Sequence, residues 1–83
     1  MGKPVTVNLR YFAILREQRG IGSEQLSTMA ETPAALYDAL KNQYGFTLPA
    51  DRVRVAINDQ FDGMDRLLRD GDNVVFVPPV AGG

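Results

Sequence analysis

The residues of this 83-residue chain with the clearest capacity for chemistry are the last two, Gly82 and Gly83. Because glycine has no β-carbon, a partner's backbone could close on the terminal carboxylate from either side. A free α-carboxyl, with a pKa of about 3.3 to 3.7, is an anion at neutral pH and a poor electrophile until it is activated. Adenylation by ATP would make it a mixed anhydride, and attack by a sulfur donor would then leave a thiocarboxylate on Gly83.

The four residues before this pair strengthen that interpretation. Pro78 and Pro79 stiffen the start of the segment, and Val80 and Ala81 decrease in side-chain size toward the end. Fully extended, the last six residues could reach roughly 20 Å, which suits insertion into a narrow channel of a partner. A Gly-Gly pair alone would more simply be a frayed end, since chain termini are commonly poorly ordered.

Side-chain catalysis is disfavoured by what the chain lacks. It contains no cysteine and no histidine, which excludes disulfides, thiolate and imidazole metal sites, a cysteine nucleophile and the usual general base. The net charge is −1 and the nine basic residues are interleaved with ten acidic ones, so we expect no nucleic-acid partner. No apolar stretch approaches the roughly 20 residues of a membrane-spanning helix, so we expect no membrane partner and a cytoplasmic protein.

Hydrophobic periodicity predicts the strands that must position the tail. Apolar residues alternate with polar ones from Val5 to Tyr11, which is the period of a strand with one buried face. Shorter or weaker alternation predicts further strands at 24–29, 53–57 and 74–77. Phe12 departs from the alternation, because it adds a second large apolar residue where the first strand should end.

One main helix is predicted after Thr32. The threonine hydroxyl can cap a free backbone N–H, Pro33 at the first helical position loses no hydrogen bond, and Gly45 supplies a left-handed stop. The buried face of this helix should carry Leu36, Leu40 and Tyr44. A short helical turn is expected at 13–19, and Phe61 falls in a polar turn region between the last two strands.

The order strand, strand, helix, strand, short excursion, strand is typical of an α+β domain with one main helix packed across a mixed sheet. This arrangement is the ubiquitin-like β-grasp, in which the first and last strands lie side by side and parallel in the middle of the sheet. A chain of 83 residues has room for one apolar core. We therefore expect a single domain at 1–77 and a flexible C-terminal Gly-Gly tail at 78–83 that carries the reactive carboxylate.

Over essentially its whole length the chain resembles the MoaD-type sulfur carriers, the small subunits of molybdopterin synthase in the MoaD/ThiS family. The resemblance rests on the capped helix and on three runs of residues. The runs are Leu9-Arg10-Tyr11-Phe12-Ala13 with Leu15-Arg16-Glu17, Val55-Ala56-Ile57-Asn58, and Leu68-Arg69-Asp70-Gly71-Asp72 continuing to Gly83. The last run is specific, because Asp-Gly-Asp, an apolar strand, Pro-Pro-Val, a small residue and Gly-Gly form a narrower pattern than a Gly-Gly end alone.

The resemblance implies that a MoeB-type activating enzyme uses ATP to adenylate Gly83, and that the resulting thiocarboxylate enters the active site of a MoaE-type large subunit. There the sulfur would pass to cyclic pyranopterin monophosphate during molybdenum cofactor (molybdopterin) biosynthesis. The family assembles as a heterotetramer of two carriers and two large subunits. The chain would then be a non-catalytic, sulfur-donating subunit that binds no metal or cofactor of its own, with the catalytic side chains on the large subunit.

The same resemblance implies a docking surface of large apolar residues around the tail. The matching positions are Phe12, Phe61 and Val77, followed by Pro78, Pro79, Val80 and Ala81 in the tail. Phe12, Phe61 and Val77 could instead be core residues, but a partner surface explains a large apolar patch better. Arg10 and Arg16 could contact an anionic partner, although arginines at such positions are more often simply solvated.

Three alternatives use the same fold differently. A sulfur carrier for thiazole synthesis would share the chemistry, but the Pro-Pro-Val segment argues against it. A ubiquitin-like protein modifier would form isopeptide bonds through Gly83. A passive interaction module would tolerate residues added after the chain end.

Overall fold

A computed structural model describes residues 2–79 of the chain. The elements are β1 (Val5–Tyr11), α1 (Ala13–Arg19), β2 (Ser23–Thr28), α2 (Pro33–Tyr44), a 3-10 turn (Ala50–Arg52), β3 (Arg54–Ile57), β4 (Gln60–Asp62) and β5 (Asn73–Val77). The predicted strands and both helical segments are confirmed, with boundaries that differ by a residue at most. The three-residue strand β4 was not predicted.

The five strands form one mixed sheet in the order β2-β1-β5-β3-β4. β1 pairs with β5 in parallel and the other neighbours are antiparallel, which confirms the predicted β-grasp arrangement. Because β1 and β5 run in the same direction, with Tyr11 opposite Phe76, both strands end at the same edge of the sheet. We call this the tail edge, since the chain leaves the sheet there toward its C-terminus.

One face of the sheet, here the inner face, is covered by α2 and forms the core. The Thr32 hydroxyl accepts a hydrogen bond from the backbone N–H of Ala35 at 3.2 Å, and Gly45 ends the helix with a φ of 72°, as the sequence predicts. The buried core side chains are Val7, Leu9, Tyr11, Leu15, Leu36, Tyr37, Leu40, Phe46, Val53, Val55, Ile57, Leu68, Val74 and Phe76. Among residues 2–79, no helix is both long and apolar enough to cross a membrane.

The helix differs from its prediction at two tyrosines. Leu36 and Leu40 are buried as expected, but Tyr44 is only partly buried and Tyr37, which the helical periodicity did not single out, is fully buried. Tyr37 lies beside Leu36 on the helix, and its hydroxyl donates a hydrogen bond to the carbonyl of Leu48 at 2.7 Å. Burial of Tyr37 is therefore possible because a loop carbonyl satisfies its one polar atom.

The connection between β3 and β4 changes the expected place of Phe61. Asn58 and Asp59 have φ values of 53° and 73°, which is the pattern of a two-residue type I′ hairpin turn. The turn is thus too short to include Phe61, which lies on β4 opposite Ala56. The sequence placed Phe61 in a polar turn region, and the structure places it on an edge strand.

Candidate functional site

The tail begins at the tail edge from a well-packed position. Val77, the last residue of β5, is partly buried, Pro78 is buried and Pro79 is exposed. With Asp51, Arg52 and Arg54 these three residues line a groove of about 340 Å³ beside the tail. Of the other predicted site residues, Val80, Ala81, Gly82 and Gly83 lie outside the described residues.

Phe12 lies at the same edge, and its conformation explains why a second large apolar residue can directly follow Tyr11. Its backbone is still extended, with φ −129° and ψ 153°, so it continues the alternation of β1 on the side opposite the core. The next residue, Ala13, has a φ of 53°, a left-handed conformation that turns the chain sharply into α1. Phe12 is 47% exposed; it is a surface residue and not a second core residue.

The strand register brings the predicted docking residues onto one face, which we call the open face. One row across the sheet contains Phe61, Ala56, Val75 and Arg10. In the next row Val77 lies opposite Arg54, and extending the β1–β5 register by one residue places Phe12 opposite Val77. We define the docking patch as Phe12, Ala56, Phe61, Val75 and Val77. The two ends of the docking patch are Phe12, which follows β1, and Phe61 on β4. They are three interstrand spacings apart, which is roughly 14 Å.

Two arginines lie over the phenylalanines of the docking patch. The guanidinium carbon of Arg54 is 4.4 Å from the ring centroid of Phe61, and that of Arg10 is 5.9 Å from the ring centroid of Phe12. Both distances fall within the range of a cation–π contact. The sequence pointed to Arg10 but not to Arg54, for which the available signal was its outward position in β3, two residues before Ala56.

A partly buried ion pair links α1 to β2 close to Phe12. Arg19 in α1 donates two hydrogen bonds to the Glu24 carboxylate, both of 2.8 Å, and the Tyr11 hydroxyl donates a third at 2.7 Å. The Arg19 guanidinium also lies 4.1 Å from the ring centroid of Tyr44. Phe12 stands between the end of β1 and the start of α1, so these contacts hold its neighbour Tyr11 and the far end of the helix that follows it.

The electrostatics of this cluster follow from its geometry. Hydrogen bonds from Arg19 hold the pKa of the Glu24 carboxyl below its ordinary value of 4.5. Burial, together with the hydrogen bond to Glu24, raises the pKa of Tyr11 well above that of a free tyrosine. At neutral pH the cluster therefore consists of a carboxylate, a guanidinium and a neutral phenol, each in its preferred state.

A second polar cluster holds the hairpin that carries Phe61. The Asp72 carboxylate, which is 5% exposed, accepts hydrogen bonds from the side chains of Asn58 at 3.0 Å and Arg66 at 2.8 Å. It also accepts one from the backbone N–H of Arg69 at 2.8 Å. Burial alone would raise the pKa of Asp72, but these three donors outweigh it and the pKa is lowered. Since Asn58 begins the β3–β4 turn, this cluster sets the place of β4.

The open face offers contact surface more than reactive groups. In residues 2–79, every buried side-chain nitrogen or oxygen has a hydrogen-bond partner, so the polar clusters described above serve to hold the fold. What the open face presents at the tail edge is apolar area flanked by guanidinium groups, beside the point where the tail leaves. Such a surface suits the docking of another protein, which would receive the tail.

This chain resembles known proteins in both sequence and architecture. The model of the ThiS family matches residues 9–83. The molybdopterin synthase sulfur carrier subunit of Haemophilus influenzae is 30% identical over 80 residues, which are 93% of this chain and 99% of that protein.

Solved structures of other proteins have a similar fold. The small archaeal modifier protein 1 from Methanosarcina acetivorans is 26% identical with a TM-score of 0.76, covering 99% of this chain and 100% of that chain. A chain in the complex of subunits 1 and 2 of the molybdopterin-converting factor from Helicobacter pylori is 28% identical with a TM-score of 0.63, covering 95% of this chain and 100% of that chain. The sequence resemblance and the ubiquitin-like β-grasp are thus confirmed, and the chain belongs to the ThiS family.

Proposed function

We propose that this protein is the sulfur carrier of molybdopterin synthesis and that it works through the C-terminal carboxylate of Gly83. The observation that carries the proposal is the parallel pairing of β1 with β5, which brings the root of the tail and the docking patch to the same edge of a rigid sheet. The curated relative in Haemophilus influenzae is named as a molybdopterin synthase sulfur carrier subunit, and the Gly-Gly end supplies the group that such a carrier needs.

The proposed chemistry takes place on the tail and is catalysed by partners. A carboxylate oxygen of Gly83 attacks the α-phosphorus of ATP, and pyrophosphate leaves. A sulfur donor at the oxidation level of sulfide, in the simplest case hydrosulfide, then attacks the acyl carbon; its proton is released, AMP leaves, and a thiocarboxylate remains on Gly83. The thiocarboxylate sulfur then attacks a carbon of cyclic pyranopterin monophosphate and displaces an oxygen substituent, and water hydrolyses the resulting thioester, which leaves the sulfur on the pterin and regenerates the carboxylate.

Two partners follow from this scheme, and both would work in the cytosol. A MoeB-type activating enzyme would bind the tail for adenylation, and a MoaE-type large subunit would bind it for sulfur transfer, in a heterotetramer of two carriers and two large subunits. The similar chain from Helicobacter pylori belongs to a complex of subunits 1 and 2 of the molybdopterin-converting factor, which supports a large-subunit partner. Because one tail can enter only one active site at a time, the partners would use the docking patch in turn.

The direct test is the intact mass of the protein after incubation with ATP, a MoeB-type activating enzyme and a sulfur source. We expect replacement of one oxygen by one sulfur, and loss of this change when Gly83 is deleted. An unchanged mass, with the activating enzyme shown to be competent on another carrier, would contradict the proposal.

A substitution in the tail separates carrier function from folding. Gly82→Val places a branched side chain next to the reacting carboxylate, so we expect sulfur delivery in a reconstituted synthase assay to fall by at least about tenfold. The thermal melt should stay the same, because every residue of the buried core lies before position 78. Full delivery by this variant would show that no narrow channel encloses the tail.

A second candidate function is protein modification. It is favoured by the similarity to the small archaeal modifier protein 1 over almost the whole chain. A modifier would form isopeptide-linked conjugates in its own cells, visible as higher-mass species that disappear when Gly83 is deleted. Conjugates without any thiocarboxylate-dependent molybdopterin synthesis would favour this alternative.

A further inference from the structure

Positive charge is concentrated where the tail leaves the sheet, although the chain as a whole has a net charge of −1. Arg10 and Arg16 line a groove beside Phe12, and Arg52 and Arg54 line the groove beside the tail, where Asp51 is the one acidic lining residue. Four of the nine basic residues of the chain therefore flank the tail edge. The charges are evenly spaced along the sequence, so the sequence does not show this concentration. The concentration arises in the fold, where β1 and β3 lie on either side of β5.

Two of these arginines are held in place without being neutralised. Among residues 2–79 the ion pairs are Arg19–Glu24, Arg66–Asp62 and Arg66–Asp72, and neither Arg10 nor Arg54 takes part in one. Their contacts are with the rings of Phe12 and Phe61. An aromatic ring restrains the guanidinium plane but accepts few of its five N–H groups, so most of the donors are left for another partner.

The residues around Arg10 and Arg54 indicate which chemical groups the partner presents to them. The guanidinium groups border an apolar patch, and arginine together with aromatic residues is the composition enriched in the centres of protein interfaces. A planar, restrained guanidinium is best satisfied by a carboxylate, which can accept two parallel hydrogen bonds. The matching surface is therefore a protein surface with acidic side chains on both sides of an apolar centre.

We propose that Arg10 and Arg54 select the docking partner by pairing with carboxylates on both sides of the tail channel of the large synthase subunit. The identity of that partner rests on the proposed function. Arg10 lies on β1 and Arg54 on β3, with β5 between them, so the two charges bracket the root of the tail. An acidic partner surface would be attracted before contact and would be oriented with its channel over the tail.

The test compares charge-removing variants in binding to the large synthase subunit of the same organism. In Arg10→Gln/Arg54→Gln the side-chain stems remain and both charges are lost. In Arg69→Gln one charge is lost from an exposed site near the start of β1, away from the tail edge. Binding is measured by stopped-flow association and by calorimetry at about 50 mM and about 500 mM salt, where screening lengths differ by about threefold.

We expect the double variant to bind about tenfold more weakly at low salt, mostly through slower association, and the difference to shrink below about threefold at high salt. Arg69→Gln should stay within about twofold of the unchanged protein at both salt concentrations. The circular-dichroism melts of all variants should coincide with that of the unchanged protein, since Arg10, Arg54 and Arg69 are all exposed. Restoring charge with Arg10→Lys/Arg54→Lys should recover most of the association rate.

Two results would overturn the inference, and they differ in what they imply for the function. A double variant with unchanged affinity and salt dependence would show that the arginines do not select the partner, while the thiocarboxylate assay would still support the carrier function. An unchanged protein that does not bind the large subunit at either salt concentration would overturn both proposals.

Discussion

The two faces of the sheet differ in what their side chains do, and the contrast is sharpest between neighbours on β5. Phe76 points to the inner face, is fully buried and contacts the Tyr37 ring edge-on at a centroid distance of 5.3 Å. Val77, the next residue, points to the open face and is only partly buried. One strand therefore supplies both the core and the docking patch, and a shift of one residue in register would exchange them.

A small domain can therefore present an apolar surface on one face and remain folded through the other. The inner face buries large side chains and supplies the stability. The open face carries its apolar residues as a narrow patch, with Arg10 and Arg54 over the two rings. Substitutions on the inner face should therefore change the free energy of unfolding, whereas substitutions on the open face should change binding.

The largest effect on stability is expected from Phe76→Ala. Removing a fully buried ring should lower the free energy of unfolding by about 3 to 5 kcal/mol, which could leave a domain of this size largely unfolded. The matched variant Val77→Ala, one residue along, should cost about 1 kcal/mol or less. Urea unfolding monitored by circular dichroism measures both, and equal losses would contradict the assignment of the two faces.

A smaller loss is expected from Asp72→Asn, which tests how the hairpin of Phe61 is held. The amide cannot accept hydrogen bonds from all three donors around Asp72, so we expect a loss of about 2 kcal/mol. Asp38→Asn on the exposed side of α2 is the control and should change stability by less than about 0.5 kcal/mol. If the two variants unfold alike, the Asp72 cluster contributes little.

The pH dependence of unfolding should report the carboxylates of Asp72, which is buried, and of Glu24, which is partly buried. The pKa values of Asp72 and Glu24 are lowered in the fold from 3.8 and 4.5. A carboxyl whose pKa is lowered on folding stabilises the fold above its unfolded pKa and loses that contribution as the pH falls through its folded pKa. Stability should therefore be level near neutral pH and decline below about pH 5, less steeply in Asp72→Asn. Chemical unfolding across this range provides the measurement, and identical slopes would contradict the assignment to Asp72.

The smallest change in stability, with a large change in binding, is expected from Phe61→Asp. The ring is 59% exposed, so the free energy of unfolding should change by less than about 1 kcal/mol, while affinity for the large subunit should fall at least about tenfold. Leu67→Asp is the matched control, since Leu67 is 65% exposed in a cleft with Val5, at the start of β1. A lower melting temperature with unchanged binding would place Phe61 in the core instead.

Local signals in the sequence predicted much of this protein. The alternation from Val5 to Tyr11, the Thr32 cap and the Gly45 stop act over a few residues, so they can be interpreted without the fold. The C-terminal Gly-Gly pair is equally local, so a chemistry can be proposed for its carboxylate from the sequence alone, because a terminal carboxylate needs no side chain around it.

Only the tertiary structure decided which outward-facing residues meet. Phe12 and Phe61 are far apart in sequence, and they share a face because β5 inserts between β1 and β3 in one register. The same register gathers Arg10 and Arg54 at the tail edge, and the folding of the loop after β4 buries Asp72 among its three donors. These are long-range pairings, for which neither composition nor periodicity carries a signal, since both describe only neighbours along the chain.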